Sequence, residues 1–460
     1  MGLQKSKEAF CRFLPFVCLV TSLRGRLVTR DSPDYEQICA SWNAELKKHP
    51  KYIVQARTNT DVIAAIKFAQ ANNLEVTARC GGHSLRCLVD DGLVIDLRQM
   101  SMVRVEADKK IVHVGGGAQL GDVDAELSLH NLVVPAGIVS DTGVGGLALV
   151  GGVGWMARSY GLTCDNIIGL DVVTAEGKLI RVTADNEYKD LFWGMKGAGT
   201  AFGIVTSFTF KAHEFGAGAA TVFGGALIFP FPRAQEILTK FNEFTKTMPD
   251  ALALYAVCVN APPGPVVILE FCYNGKEEDG RPLVQPLIDL GPIMQAGVGT
   301  VPWTTWQRAK DTLAPHGGNY YEAGLNLNEL SEGFIKKLME AFPRSPSPQS
   351  FFLLESNGGA MSRVPNDSAA IAWRHAAFTI VFFAAWPADT EAEANKAWLR
   401  ETRTSLMPFH TGTLYANFSS EGTAVESYGQ QMLARLVELK QKYDPTNFFH
   451  VATFGNLLGA

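Results

Sequence analysis

The sequence is short of positive charge, of paired cysteines and of long apolar runs, and each shortage closes off a class of function. Lys and Arg number 41 against 46 Asp and Glu, a formal net charge of −5. No basic surplus is available to neutralise a phosphate backbone, so nucleic acid is not an expected partner. The eight cysteines, Cys11, Cys18, Cys39, Cys80, Cys87, Cys164, Cys258 and Cys272, contain no C-x-x-C pair, and none follows Cys272. That pattern excludes zinc knuckles and thioredoxin-like sites, suggests no metal centre, and argues against a chain-wide disulfide framework; it points to the cytoplasm. No apolar run reaches the ~18–20 residues of a transmembrane helix, so no membrane partner is expected. Phe13–Val20 is apolar and follows Lys5, Lys7 and Arg12. It sits at the short end of the ~7–15 residues of a secretion signal's apolar stretch. We read it as an amphipathic leader helix, with a cleaved signal and secretion as the alternative. Internal repeats and low-complexity tracts are absent too.

What is present is a foldable chain rich in glycine. With 460 residues, 47% hydrophobic and 19% charged, two domains are expected, and disorder, collagen and coiled coil are excluded. The 44 glycines exceed the usual share of about 7%, and they cluster. Up to about residue 210, helical and extended segments alternate. Tyr52–Ala56, Leu74–Ala78, Leu93–Leu97 and Lys110–Val114 read as strands, and Thr60–Ala69 as a helix capped by Thr60. Ile168–Thr174 and Lys178–Val182 read as a hairpin about Ala175-Glu-Gly177, and Gly203–Phe210 as a strand. From 222 onwards the strands are longer and more apolar: Val222–Phe229, Leu252–Val259, Pro265–Phe271, Ser350–Glu355 and Thr379–Trp386. Helices are expected over 232–247, 329–342 and 391–407, with a terminal helix over 424–443 stopped by Pro445. The fold class is α+β, with a large antiparallel sheet covered by helices and a break near Phe215-Gly-Ala-Gly218.

Three glycine clusters carry the chemistry. Arg79-Cys-Gly-Gly-His-Ser84 follows a strand, and its paired Gly81 and Gly82 free the backbone to turn successive N–H groups onto an anion. Six glycines fall in thirteen positions from Thr142 to Gly154. At about 1 kcal/mol per Gly a core helix would not carry that density without a ligand or a close backbone contact. Gly143-Val-Gly-Gly-Leu-Ala148 also fits the dinucleotide string G-x-G-x-x-A, but no clear strand precedes it and no regular βαβ follows, so we reject that reading. The third cluster, Gly197-Ala-Gly-Thr-Ala-Phe-Gly203, leads into a strand.

Taken in order, these segments resemble the berberine-bridge-enzyme-like flavin oxidases of the vanillyl-alcohol-oxidase/PCMH superfamily over nearly the whole chain. Arg79–Ser84 looks like the family's R-x-G-G-H loop, and Gly143–Gly154 with Tyr160-Gly-Leu-Thr-Cys-Asp-Asn166 like its G-x-G-G…Y-G-L-x-x-D-N signature. Asp190–Gly199 with Phe202–Phe208 is similar to its D-L-F-W…F-G-I-V-T stretch, and Tyr443–Phe449 to its closing Y-D-P-x-N-x-F. Length and layout are closest to 6-hydroxynicotine-oxidase-like members. The resemblance implies a PCMH-type FAD-binding domain over 1–215, a substrate domain over 216–424 and a tail, 425–460, returning to the FAD domain. It implies FAD carried covalently on His83 alone, because Val139 stands where bicovalent relatives have a cysteine. The residues it nominates around FAD are Arg79, Cys80, Gly81, Gly82, His83, Ser84, Thr142, Gly143, Gly145, Gly146, Gly152, Gly154, Asp165, Asn166, Gly203, Ile204, Val205 and Asn456. The pyrophosphate would lie on the backbone of the first loop and of 142–146. The implied activity is an oxidase: hydride from a C–H beside an alcohol or amine goes to flavin N5, and O2 returns as hydrogen peroxide. The alternative is a redox-neutral isomerase or cyclase on the same scaffold. Partners are then a small-molecule substrate and O2; the sequence is silent on oligomeric state. For the catalytic base, Glu426-Ser-Tyr-Gly429 resembles a segment that supplies a tyrosine in carbohydrate oxidases, so Tyr428 is the first candidate and His375 the second. Glu355, Asn417 and Tyr415 follow.

Overall fold

The computed structural model describes residues 19–451 apart from 263 and 389, together with Leu457. The greater part of the apolar leader and Asn456 fall outside those residues. The described chain holds sheets of four, five, two and seven strands. In the four-stranded sheet, Arg26–Thr29 pairs antiparallel with Tyr52–Gln55, while Tyr52–Gln55, Leu93–Asp96 and Val76–Arg79 run parallel. The helix between the first and last of these, Asn59–Ala71, presses Val62, Ala65, Ile66 and Ala69 onto the sheet. Its cap is Thr58 and not Thr60: the Thr58 hydroxyl accepts from Asp61 N–H, and the Asp61 carboxylate accepts from Thr58 N–H.

The five-stranded sheet is antiparallel throughout, in the order Val103–Glu106, Ile111–Gly115, Ile204–Lys211, Ile167–Val173, Leu179–Val182. Gly177, at φ +70°, turns the expected hairpin. The seven-stranded sheet is also antiparallel and runs Met294–Pro302, Thr221–Pro230, Gly264–Tyr273, Leu252–Ala261, Phe351–Ser356, Phe378–Trp386, Asn319–Leu327. Its strands alternate with period two. Phe352, Leu354, Ile380 and Phe382 face helices Ala234–Thr245, Glu332–Ala341 and Ala392–Leu406 in one core. Phe351, Leu353, Glu355, Val381 and Phe383 face the other way, into a cavity.

In the seven-stranded sheet two strands, and one helix beside it, are not expected from the sequence, nor are the strands Arg26–Thr29 and Val103–Glu106 of the other sheets. Met294–Pro302 is a half-exposed edge strand interrupted by Gly297 and Gly299, and Asn319–Leu327 carries Asn and Glu among its apolar residues. Helix Glu277–Ile288 holds Pro282 and Pro286, residues that argue against a helix.

The terminal helix Ala424–Tyr443 packs Leu433, Leu436 and Leu439 into the core of the five-stranded sheet, alongside Met361, Ile371 and Trp373. The Tyr443-Asp-Pro segment is held from within. The Lys440 ammonium, wholly buried, donates to Asp444 Oδ2 (2.7 Å), Ala201 O (2.6 Å) and Phe449 O (3.1 Å).

Candidate active site

Strand Val76–Arg79 delivers the first glycine loop into a cavity of about 300 Å³. Arg79 fastens the root of that loop: its buried guanidinium donates to Ile38 O and Ala40 O. The Cys80 thiol donates to Ala118 O at 3.2 Å, and burial pushes it up to about 11, so it stays protonated and unreactive. Ser84 accepts from Arg86 N–H at 3.1 Å and shapes the turn. His83 at the tip is stacked on Trp42, with ring centroids 4.8 Å apart and planes 12° off parallel. Trp42 stacks in turn on Tyr320 and donates its indole N–H to Ala314 O at 2.8 Å. On the other side, His83 Nε2 lies 2.9 Å from Asp141 Oδ1. The imidazole beside it holds the Asp141 carboxyl below the usual range. The ring is therefore pinned by an aromatic stack and a carboxylate.

The second cluster packs directly on the first. A Cβ on Gly81 would collide with the Gly143 backbone and Asp141 O, and a Cβ on Gly143 with Gly81 N and Cys80. Glycine is needed at both places because backbone meets backbone. A Cβ on Gly146 would meet nothing within 4 Å, so here bare peptide faces the cavity. Thr142, Val139, Gly145, Gly203, Ile204 and Val205 also line it. Four expected residues do not. Gly152 is crowded by Thr163 and Gly154 by Ala136 O, so both are needed for protein packing. Asp165 takes both Arg374 nitrogens, at 2.6 and 2.7 Å, and caps Leu162 N–H at 2.9 Å. Asn166 donates to Tyr160 O and Leu162 O and contacts His213 Nε2 at 2.6 Å. The Asp-Asn pair of the signature thus ties the fold together behind the cavity.

The opposite wall is the seven-stranded sheet. Glu355 is 1% exposed, neither carboxylate oxygen has a hydrogen-bond partner among the described residues, and burial pushes it up to about 8. Half-buried Glu322, two strands away, is pushed to about 8 by the same cause. Lys310 reaches the wall but is chelated by both Glu270 oxygens. Tyr415 lies near Glu355: burial raises its phenol far above 10, and the Glu355 charge adds to the rise. Asn417 Nδ2 donates to the Tyr415 hydroxyl at 3.0 Å and to Gly146 O at 3.3 Å, joining the two walls.

Of the two expected catalytic residues, His375 is exposed in a turn and does not line the cavity; its neighbours Trp373 and Arg374 are buried. Tyr428 does line it, but its hydroxyl is directed at Gly197 O at 3.4 Å. Burial raises its phenol far above 10, with Arg86 only partly opposing. The residues that sequence reasoning missed, Trp42, Asp141, Glu322, Phe351 and Phe383, lie in no glycine motif.

One short segment clamps the two walls. Trp303 Nε1 donates to Asp124 Oδ1 (2.7 Å), Gln307 Nε2 to Gly137 O (2.6 Å), and Asp311 accepts from Ser140 N–H (2.8 Å) and Oγ–H (2.6 Å). The 137–141 strip, which carries Asp141 to His83, is thereby fixed from the sheet side.

Comparison with known proteins decides the family. The FAD binding domain family matches residues 50–183, and the berberine and berberine-like family matches residues 415–453. An FAD-linked oxidoreductase of Dictyostelium discoideum is 32% identical over 93% of this chain and 94% of its own. The chain belongs to the berberine-bridge-enzyme-like FAD-linked oxidoreductases. YgaK, an FAD-linked oxidoreductase of Bacillus subtilis, is 31% identical over 93% of this chain and 96% of its own. Among solved structures, 6-hydroxy-D-nicotine oxidase of Arthrobacter nicotinovorans superposes with a TM-score of 0.86 at 23% identity, covering 95% of this chain and 98% of that one. BBE-like 1 of Physcomitrella patens gives 0.87 at 23%, covering 96% and 99%. These two show the fold, including the large antiparallel sheet. Among the described residues, no helix is long and apolar enough to cross a membrane, and no cluster of His, Cys, Asp and Glu could hold a metal.

The residues present fit an FAD. Gly146 offers bare peptide to the cavity, and the Gly81–Gly143 contact brings two turns together where a pyrophosphate needs N–H donors. His83, held by Trp42 and Asp141, is the ring available for attachment.

Proposed function

We propose that the protein is an oxidase in which His83 alone anchors FAD and Glu355 acts as the base. FAD, when bound, supplies hydride acceptance at N5 from a C–H beside an alcohol or amine, with O2 taking the electrons to give hydrogen peroxide. The observation that carries the reading is the cavity itself, with a pinned histidine on a glycine-built wall and an uncompensated carboxylate on the facing sheet. The backbone of Gly81–Gly82 and of 142–146 would hold the pyrophosphate, and Gly203, Ile204 and Val205, which line the same cavity, would border the cofactor. Arg79, Cys80, Asp165 and Asn166 support those loops from behind. Asn456, which lies outside the described residues, stays a candidate on the family resemblance. Val139 carries no sulfur, so no second bond forms there. A structural neighbour is the glucooligosaccharide oxidase of Acremonium strictum with 6-S-cysteinyl, 8α-N1-histidyl FAD, and others are xylooligosaccharide and chitooligosaccharide oxidases, which supports both histidyl attachment and oxidase chemistry. Glu355 is preferred to Tyr428 because a carboxyl near pH 8 is partly ionised under working conditions, whereas a phenol raised by burial is not. The proposed division is an FAD domain over 1–215, a substrate domain over 216–424 and a tail over 425–460 returning to the first; the seven-stranded sheet facing the glycine loops across the cavity supports it. The six described cysteines are all free, which supports a cytoplasmic location.

The test is direct. Purified protein should be yellow, retain flavin after acid precipitation, and yield one flavinylated peptide, the one containing His83. It should form peroxide with some member of a panel of amines, alcohols and sugars. Flavin reduction without peroxide, or a rearranged product with no net redox change, would sink the oxidase reading in favour of the isomerase or cyclase.

A further inference from the structure

The sheet wall of the cavity contains more information about the substrate than the flavin wall does. Six of its side chains line the cavity: Glu322, Phe351, Leu353, Glu355, Val381 and Phe383. Four are apolar, and the only polar groups are two carboxyls. They lie on one face, because Glu322 is opposite Phe383 and Glu355 is opposite Thr379, four residues along the same strand. Phe351 and Phe383 stack with centroids 4.4 Å apart and offer the cavity a continuous aromatic surface.

Among these six side chains a ligand polar group meets a carboxyl or nothing. A sugar would turn hydroxyl after hydroxyl towards phenylalanine, leucine and valine and leave them unpaired, which a buried polar group does not tolerate cheaply. On this wall an anion would face two acidic groups, and the cation that reaches it, Lys310, is already held by both Glu270 oxygens; Arg86 lines the cavity from the glycine-loop side, beside Tyr428. A cation reverses each of these penalties. It compensates Glu355, whose two oxygens are buried and without a hydrogen-bond partner, and it is attracted to the faces of the adjoining rings.

We propose that the substrate is an organic amine bound as its ammonium ion, with the charge on Glu355, an apolar or aromatic body on Phe351 and Phe383, and Glu322 repelling anions. This deepens the oxidase reading above, choosing amine over alcohol and sugar, and rests on it for turnover but not for binding.

Binding is therefore the measurement. The probes are benzyltrimethylammonium, which has no N–H proton to give and reports charge alone, benzyl alcohol, benzoate and xylobiose. Flavin-loaded protein at pH 8.5 is titrated with each, following the flavin absorption spectrum and the melting temperature. The ammonium should bind at least about tenfold more tightly than benzyl alcohol, and benzoate should not bind. Glu355→Gln, which keeps shape and hydrogen bonding but drops the charge, should lower ammonium affinity by about tenfold or more and leave benzyl alcohol within about twofold. Glu322→Gln should weaken the ammonium by about threefold and admit benzoate. An unchanged ammonium affinity in Glu355→Gln overturns the proposal, as does benzyl alcohol or xylobiose binding more tightly than the ammonium. Should the ammonium bind as expected while no amine yields peroxide, the oxidase reading fails and the cation site stands.

Discussion

The two walls of the cavity are built on opposite principles. The first is made of backbone: Gly81, Gly143 and Gly146 matter because they lack a side chain. The second is made of side chains placed by strand register, in which Glu355 and the Phe351–Phe383 stack matter because of what they carry. A backbone wall recognises a constant ligand, whose phosphates need only N–H donors. A side-chain wall on a regular sheet can change its ligand by substitution at alternate positions without altering the fold. On the proposed reading the contrast separates cofactor from substrate and gives each wall its own way of failing.

The largest effect is expected where the backbone wall is broken. Gly143→Val puts a branched side chain into Gly81 N and Cys80, and rigid backbone on both sides leaves no room to yield. FAD content of the purified protein should fall close to zero, and the second wall should not rescue it. Retention of more than about half the flavin would show that the contact is not part of the cradle. His83→Ala is milder: acid-stable flavin should vanish while dissociable FAD remains, because the glycines still supply the N–H donors. Mass measurement of the intact protein before and after acid decides it.

This division also explains what the sequence disclosed. A glycine cluster is visible as a string, because the demand for a missing Cβ falls on consecutive residues; the first wall was readable down to His83, Gly143 and Gly146. Yet the same strings include Gly152, Gly154, Asp165 and Asn166, which serve packing behind the cavity. A motif does not state which of its members face the ligand. The second wall is spread over strands 351–356, 378–386 and 319–327, and the last was missed entirely because Asn and Glu interrupt its apolar run. Glu355 could be named from sequence but not aimed, since the face it occupies depends on pairing between residues 24 positions apart, as with Thr379. Trp42 and Asp141 reach His83 across tertiary contacts that no spacing encodes.

Breaking the second wall should leave the first intact. Glu355→Gln should slow flavin reduction by substrate by about 10²–10⁴-fold, the range for loss of a general base, with FAD content unchanged. It should also alter stability. The carboxyl is raised by burial from 4.5 to about 8, so the folded state holds its proton more tightly than the unfolded chain does. The native state is then favoured most below about pH 4.5 and loses stability as pH rises towards 8, at up to about 1.4 kcal/mol per unit. Glu355→Gln should flatten that decline in denaturant unfolding of the flavin-free protein. An identical slope in the variant would show that Glu355 is not the buried acid described.

The smallest effect is expected at Tyr428, which lines the cavity beside Arg86 and not beside Glu355. Its hydroxyl donates towards Gly197 O, and burial holds the phenol protonated, so the ionised form that would make it an effective base is not available. Tyr428→Phe removes one long hydrogen bond of 3.4 Å and keeps the ring. Flavin reduction should slow by less than about tenfold, equivalent to ~1.4 kcal/mol of barrier, and reoxidation by O2 should be unchanged. A loss of about a hundredfold or more, with Glu355→Gln nearly silent, would invert the comparison. The base would then sit on the tail packed against the glycine-rich side, and the sheet would only bind.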